Sequence, residues 1–271
     1  MSFKKLIISG FLLLGAVFLI KTDLKAQLLP VIRVGVVRGP DQTIVEKVKE
    51  VAARSGLAVE AVNFYSARES LNALAVRQIN LSACQHKPLL EDFVQENNVL
   101  LIPMGNTYVA PLGFYSQKLK SLSELEDGAR LVIHEEPDKR RRALLLLQRY
   151  GMITLKDVPW PSKADVVNNP YRLNIIEANF IKPFLNNDTV SAIAFTGMSD
   201  DINALAPTRF KLKPICLEEA SLPYVNVVAA RLSGKENPRY LEFVKAYQSL
   251  ETAQFILDHY KGTVIPVYDF N

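Results

Sequence analysis

Cysteine is nearly missing from this chain: Cys84 and Cys216 are the only two among 271 residues. They lie far apart and fit no metal or redox spacing, which leaves a long-range disulfide or two unrelated thiols as the readings. The N-terminal segment holds no cysteine, so the acceptor that a lipid-anchored exported protein needs is not there. Histidine is scarce as well. A metal site built on His86 would have only His134 and His259 to add. An excess of charge of one sign is also lacking. The formal net charge of +4 owes most of its value to Lys4, Lys5, Lys21 and Lys25, set against Asp23; the remainder, with 28 basic and 27 acidic residues, is close to neutral. That balance argues against a nucleic-acid partner. No repeat at solenoid spacing and no low-complexity tract is present, and no cofactor is expected. What remains is 49% hydrophobic and 22% charged, ordinary for a folded soluble protein, and long enough for one large or two modest cores.

The N-terminus carries a basic start, then fifteen mostly apolar residues, Leu6 to Ile20, closed by Lys21. That order is the layout of an export signal. As a helix the run would be about 22 Å long, short of the roughly 30 Å hydrocarbon core of a bilayer. The expectation is an export signal over residues 1–26, cleaved after Ala26; an uncleaved membrane anchor is the other reading. Either one places the rest in the periplasm or on the outer face of the inner membrane.

Beyond that segment, short β-like runs alternate with helical patterns. Val31–Val37 is β-branched and apolar, as in a buried strand. Pro40 and Asp41 open a helix with Ile44, Val45, Val48, Val51 and Ala52 on one face. "LAVEAVNF" is the next strand, Ser66 caps a helix through about Arg77, and "INLSACQ" is a third strand. Later come a long strand at Thr107–Ser116, strands at Ala129–His134, "LNIIEA", "TVSAIAF" and Tyr224–Leu232, a helix over Asp138–Tyr150, and two closing helices from about Asn237 to Tyr260. This rhythm predicts an α/β chain with mainly parallel sheets in two lobes joined by a hinge. Ligands in such folds bind at strand carboxyl ends and between domains.

Three features bear on a site. In "SACQHKPLLEDF", Cys84 and His86 share one face of a strand, with Pro88 in the first turn of the following helix. As nucleophile and base the pair is poorly placed, because Cα atoms two apart on a strand sit roughly 6.5–7 Å from each other and no third, orienting group is apparent. His86 is left as a pocket wall or as a structurally satisfied histidine. In "PDKRRRALLLLQ", Asp138 is the expected N-cap, and Lys139, Arg140, Arg141 and Arg142 crowd the positive end of a helix, which is unfavourable unless an anion lies nearby. Lys139–Arg141 read as a solvated basic patch. Arg142 abuts the leucine run and points inward, suited to hold a carboxylate by two parallel hydrogen bonds. Asn226, an amide within the apolar strand "LPYVNVVA", needs a partner, either backbone or ligand. Thr196 in "AFTGMSD" is a strand-to-turn residue.

Taken together, "CQHKPLL", "GNTYVAPLGFYSQKLKSLSELEDG", "RALLLLQRYG" and "LPYVNVV" resemble the methionine-binding proteins of ABC importers, the NLPA lipoprotein family, from about Val31 to near the C-terminus. The resemblance implies a two-lobed periplasmic-binding-protein fold, type II like, that captures methionine and delivers it to a membrane permease; the chain would be no enzyme. It also implies ligand contacts from Arg142, Asn226, His86 and Thr196, with Cys84 and Leu89 lining the side-chain end. Cys84 and Leu89 stand where the family has aromatic residues, Thr196 and Ser199 where it has asparagine and tyrosine, and Asp138 and Lys139 where it has threonine and asparagine. Lobe one is expected to comprise residues 28–110 and 230–271, and lobe two residues 111–229. The alternative is an anchored sensor or protein-interaction module on the same scaffold.

Overall fold

Strand β1 (Ile32–Val37) buries Ile32, Val34 and Val36, and the chain then turns through Gly39, at a φ of 112°, into helix α1 (Pro40–Ala53). Gly39 takes a conformation that side chains rarely adopt, and Pro40 supplies the preset φ of a first helical turn. Two more β–α steps follow: β2 (Val59–Phe64) into α2 (Ala67–Ala75), and β3 (Leu81–His86) into α3 (Lys87–Asn97). The Ser66 side chain caps α2 by accepting the Glu69 N–H at 3.2 Å. In this computed structural model the described residues are 31–185, 187–196, 213–219, 223–261 and 263–268. The expected export segment, residues 1–26, and Ser199 lie outside them.

The chain continues as β4 (Leu101–Val109), β5 (Leu112–Ser116), β6 (Arg130–His134), α4 (Pro137–Arg149), β7 (Thr154–Leu155), β8 (Val166–Asn168), β9 (Asn174–Ala178), β10 (Ala192–Thr196), β11 (Lys213–Leu217), β12 (Val225–Arg231), α5 (Pro238–Tyr247), α6 (Leu250–Tyr260) and β13 (Ile265–Pro266). One sheet runs β13-β4-β12-β3-β1-β2 and a second β11-β5-β10-β6-β9, with β7 and β8 a separate ribbon. The first sheet is packed on both faces. Val34, Val36 and Leu81 meet α1 and the C-terminal helices, whereas Cys84, Val227 and Ala229 meet α2 and α3. In the second sheet Leu131 and Ile133 face α4, and Val132, Ile193 and Phe195 face the opposite way, the two-residue period of a strand.

The structure is an α/β fold with mixed sheets. β1, β2 and β3 are mutually parallel, as are β6, β9 and β10, but β4, β12 and β13 and the pair β5 and β11 run antiparallel to their neighbours. The long strand expected over Thr107–Ser116 is two strands in different sheets, broken at Ala110–Pro111. Pro111 has no N–H to give a ladder and biases the residue before it. The chain returns to the first sheet between Leu217 and Val225, so β12 belongs with lobe one. Only pairing, and not the apolar run itself, assigns Val225–Arg231 to a sheet.

Candidate functional site

The parallel strands of both sheets end at one cavity of about 520 Å³ between them. Val37, His86, His134 and Thr196 line it from the carboxyl ends of β1, β3, β6 and β10, and Asp41, Ala67 and Asp138 bring in the first turns of α1, α2 and α4. With His86 and Leu89 at the start of α3, four helix N-termini thus face one space, which favours anionic groups there. His86, Cys84 and Leu89 from the β3–α3 corner, Asn226 from β12, Arg142 from α4 and Thr196 from β10 all line this cavity. Asn226 and His86 are direct partners in the antiparallel register of β12 and β3.

At the β3–α3 corner His86 is itself the N-cap of α3: its Nδ1 accepts the Leu89 N–H at 3.1 Å. That nitrogen carries no proton, so the ring proton sits on Nε2, 2.9 Å from both Asp138 oxygens. Asp138 was expected to cap α4. Instead Glu136 holds the N-cap position, Pro137 opens the helix, and the Asp138 carboxylate reaches across to the other lobe. Burial pushes its carboxyl up, but the His86 hydrogen bond and the charges of Arg142 and Lys139 outweigh that and hold it below the usual range. His86 is therefore both a wall of the cavity and one half of a bond between lobes.

Arg142 points inward and is 6% exposed. Its Nε and Nη2 grip the two carboxylate oxygens of Glu218 at 3.1 and 2.5 Å, and Nη2 also donates to the Ala110 carbonyl at 3.1 Å. The Tyr224 ring lies 4.5 Å from the guanidinium carbon and meets the His86 ring edge-on at 5.1 Å. Glu218 in turn accepts the Leu112 N–H at 2.8 Å. Ala110, Glu218 and Tyr224, which flank the two passages of the chain between the sheets, are thus gathered on one guanidinium. These bonds use three of its five N–H donors, and among the described residues the two on Nη1 have no hydrogen-bond partner.

The rest of the basic run also finds anions within the protein. Lys139 pairs with Glu136 at 2.7 Å and Arg141 with Asp92 of α3 at 3.1 Å, while Arg140 donates to the Pro161 carbonyl at 3.1 Å with Glu177 nearby. Trp160 sits between Arg68 of α2 and Arg141 of α4, each 5.1 Å from its ring. Of the patch expected to be solvated, Lys139 is partly exposed, Arg140 packs within its own lobe, and Arg141 alone reaches across to the other lobe.

Cys84 and Cys216 are both buried and unpaired, one in each sheet. Burial pushes the Cys84 thiol up to about 12, so it is a poor nucleophile. Among the described residues no group of three metal-ligating side chains occurs, and no helix is long and apolar enough to cross a membrane. Sequence reasoning missed Asp41, Tyr108, Tyr65 and Phe180, which also line the cavity. Tyr65 and Phe180, one on each lobe, are 94% and 77% exposed. Exposed aromatics follow no sequence period, so only the cavity reveals them. Glu218 was missed too, although an inward arginine calls for a buried carboxylate somewhere.

The family model for NlpA lipoprotein matches residues 32–268. The D-methionine-binding lipoprotein MetQ of Escherichia coli is 37% identical over 228 residues, covering 81% of this chain and 82% of that protein. Among solved structures, a nutrient binding protein from Burkholderia cenocepacia bound to methionine superposes with a TM-score of 0.76 at 33% identity, over 88% of this chain and 100% of that one. A periplasmic substrate-binding protein of an ABC transporter from Coxiella burnetii does so with a TM-score of 0.75 at 30% identity, over 87% and 100% of the two chains.

Proposed function

The chain belongs to the NlpA lipoprotein family, and on that premise we propose that it is an extracytoplasmic solute-binding protein whose cleft captures a free amino acid, methionine first, for an ABC permease. The observation that carries this reading is the convergence of Arg142, Asn226, His86, Thr196, Cys84 and Leu89 on one cavity between the lobes. The Nη1 edge of Arg142 and four helix N-termini suit the ligand's carboxylate. Asn226 and Thr196 add hydrogen-bonding groups, and Cys84, Leu89, Tyr65 and Phe180 supply apolar surface for a thioether side chain. Rotation about the two crossings closes the lobes, and the closed form is what a permease recognises.

A thermal-shift screen of residues 27–271, unfolded and refolded to strip bound ligand, tests this against all L- and D-amino acids. Ligand at 100 times its dissociation constant adds about 2.7 kcal/mol of stability, a shift of several degrees. A shift with methionine is the expected result. A shift with another amino acid alone changes the substrate, and no shift with any of them overturns the reading.

A further inference from the structure

The cavity holds a buried carboxylate that no cation of the described residues pairs with. Asp41, in the first turn of α1, lines the cavity and is 8% exposed. One oxygen, Oδ1, accepts the hydroxyl of Tyr108, itself buried in β4. Among the described residues no Lys, Arg or His lies within ion-pair distance of Asp41, whereas Asp138 and Glu218 each have such a partner. The cation felt most at Asp41 is Lys139 of the opposite lobe, and its ammonium is held by Glu136 at 2.7 Å. A buried carboxylate without a counter-charge is unfavourable, and a cavity that presents one is built for a ligand that brings the charge.

We infer that Asp41, oriented by Tyr108, is the specificity-determining residue that reads a primary ammonium group of the ligand. This deepens the amino-acid reading above, and rests on it for the ligand's other groups. Arg142 cannot be the sole source of selectivity, because most of its donors are committed within the protein. Asp41 would exclude ligands that offer only a carboxylate, and would admit amines of varied side chain.

The arrangement carries its own signature. Burial raises the Asp41 carboxyl to about 7, so an ammonium must displace a proton below that pH. Affinity for an amine is then expected to be about tenfold weaker at pH 6 than at pH 8. The titratable and charged groups around Asp41 are Tyr108 and Cys84 of the sheet, Tyr247 of α5 and Lys139 of α4, with Tyr260 of α6 bonded to the neighbouring Pro40 carbonyl.

Calorimetric titration of the refolded wild type and of Asp41→Asn decides the matter, at pH 6 and pH 8. The probes are the L- and D-amino acids, N-acetyl-L-methionine, 4-(methylthio)butanoate and 3-(methylthio)propylamine. Asparagine keeps the shape and the acceptor for Tyr108, and a cooperative melt verifies that the variant is folded. The expected result is that whichever compounds bind carry a free ammonium, that acetylation or deamination weakens binding about 100-fold or more, and that Asp41→Asn erases both this difference and the pH effect. Equal binding of methionine by the wild type and the variant would overturn the inference while leaving the amino-acid reading intact. Binding of another amine but not methionine, lost in Asp41→Asn, would uphold the inference and remove methionine. If no ammonium-bearing compound binds, the inference is overturned.

Discussion

A buried guanidinium is judged by where each of its donors goes. In Arg142 three of them hold Glu218 and Ala110, so the side chain fastens the two crossings as well as facing the cavity. Removing one partner leaves the other charge buried and alone, which costs about 3–5 kcal/mol. Glu218→Ala should lower stability by that amount in urea denaturation, and Arg142→Ala similarly; a change below 1 kcal/mol would show that the pair is only decorative. Asp41 and Asp138 give opposite pH dependences. The raised value of Asp41 means that the native state holds a proton the unfolded chain has lost between about pH 4 and 7. Stability therefore falls as pH rises through that window, and Asp41→Asn should stabilise the ligand-free protein at pH 8 by roughly 2–4 kcal/mol while changing it little at pH 4. Asp138 is held low, so its contribution is present above the usual carboxylate range and is lost as pH falls through its folded value. Much of this was legible at the level of residue type: a histidine beside Pro88, an arginine before leucines and an amide in an apolar strand all require partners. The partners were not legible. Glu218 lies 76 residues from Arg142 and Asp138 lies 52 from His86, and nothing local links them.

Among the elements, the β–α corners were the easiest to foresee, because Pro40, Ser66 and Pro88 mark helix starts through local chemistry. Strand direction was not foreseeable. A fully buried strand reads as an apolar run whether its neighbour is parallel or antiparallel, and so Val225–Arg231 gave no sign of pairing antiparallel with both β3 and β4. Close packing of β1 on α2 is a feature that one substitution can test. A Cβ on Gly35 would collide with the Ser70 hydroxyl and lie 2.6 Å from Ile79 Cδ1, while Ser70 is already hydrogen-bonded to Ser82 at 2.7 Å. Gly35→Ala should therefore destabilise lobe one by about 1–3 kcal/mol by overpacking, measured as a lower denaturation midpoint at unchanged slope. A neutral result would mean that α2 can move away from the sheet at little cost.

At the scale of the molecule, function depends on two bodies that meet along a seam. His86–Asp138 and Arg141–Asp92 cross it, and Trp160, the chain's only tryptophan, lies between an arginine of each lobe. The indole also bonds Glu96 of α3, whose carboxyl the Arg68 hydrogen bond and charge hold low. Opening the cleft must pull Trp160 away from Arg68 and Glu96, so its emission should shift on ligand addition; an unchanged spectrum at saturating ligand would show that the lobes do not move there. Tyr65 and Phe180 at the cavity, still largely exposed, offer area that closure on a ligand can bury. Each change to alanine should weaken binding about tenfold, near 1.4 kcal/mol, with no change in melting temperature. The most direct test of the whole account is a calorimetric titration of the stripped, refolded chain with L- and D-methionine. Saturable one-site binding of at least one enantiomer, weakened about tenfold or more by Asn226→Ala, is the predicted result. The absence of saturable heat from both, in a protein that melts cooperatively, would contradict it.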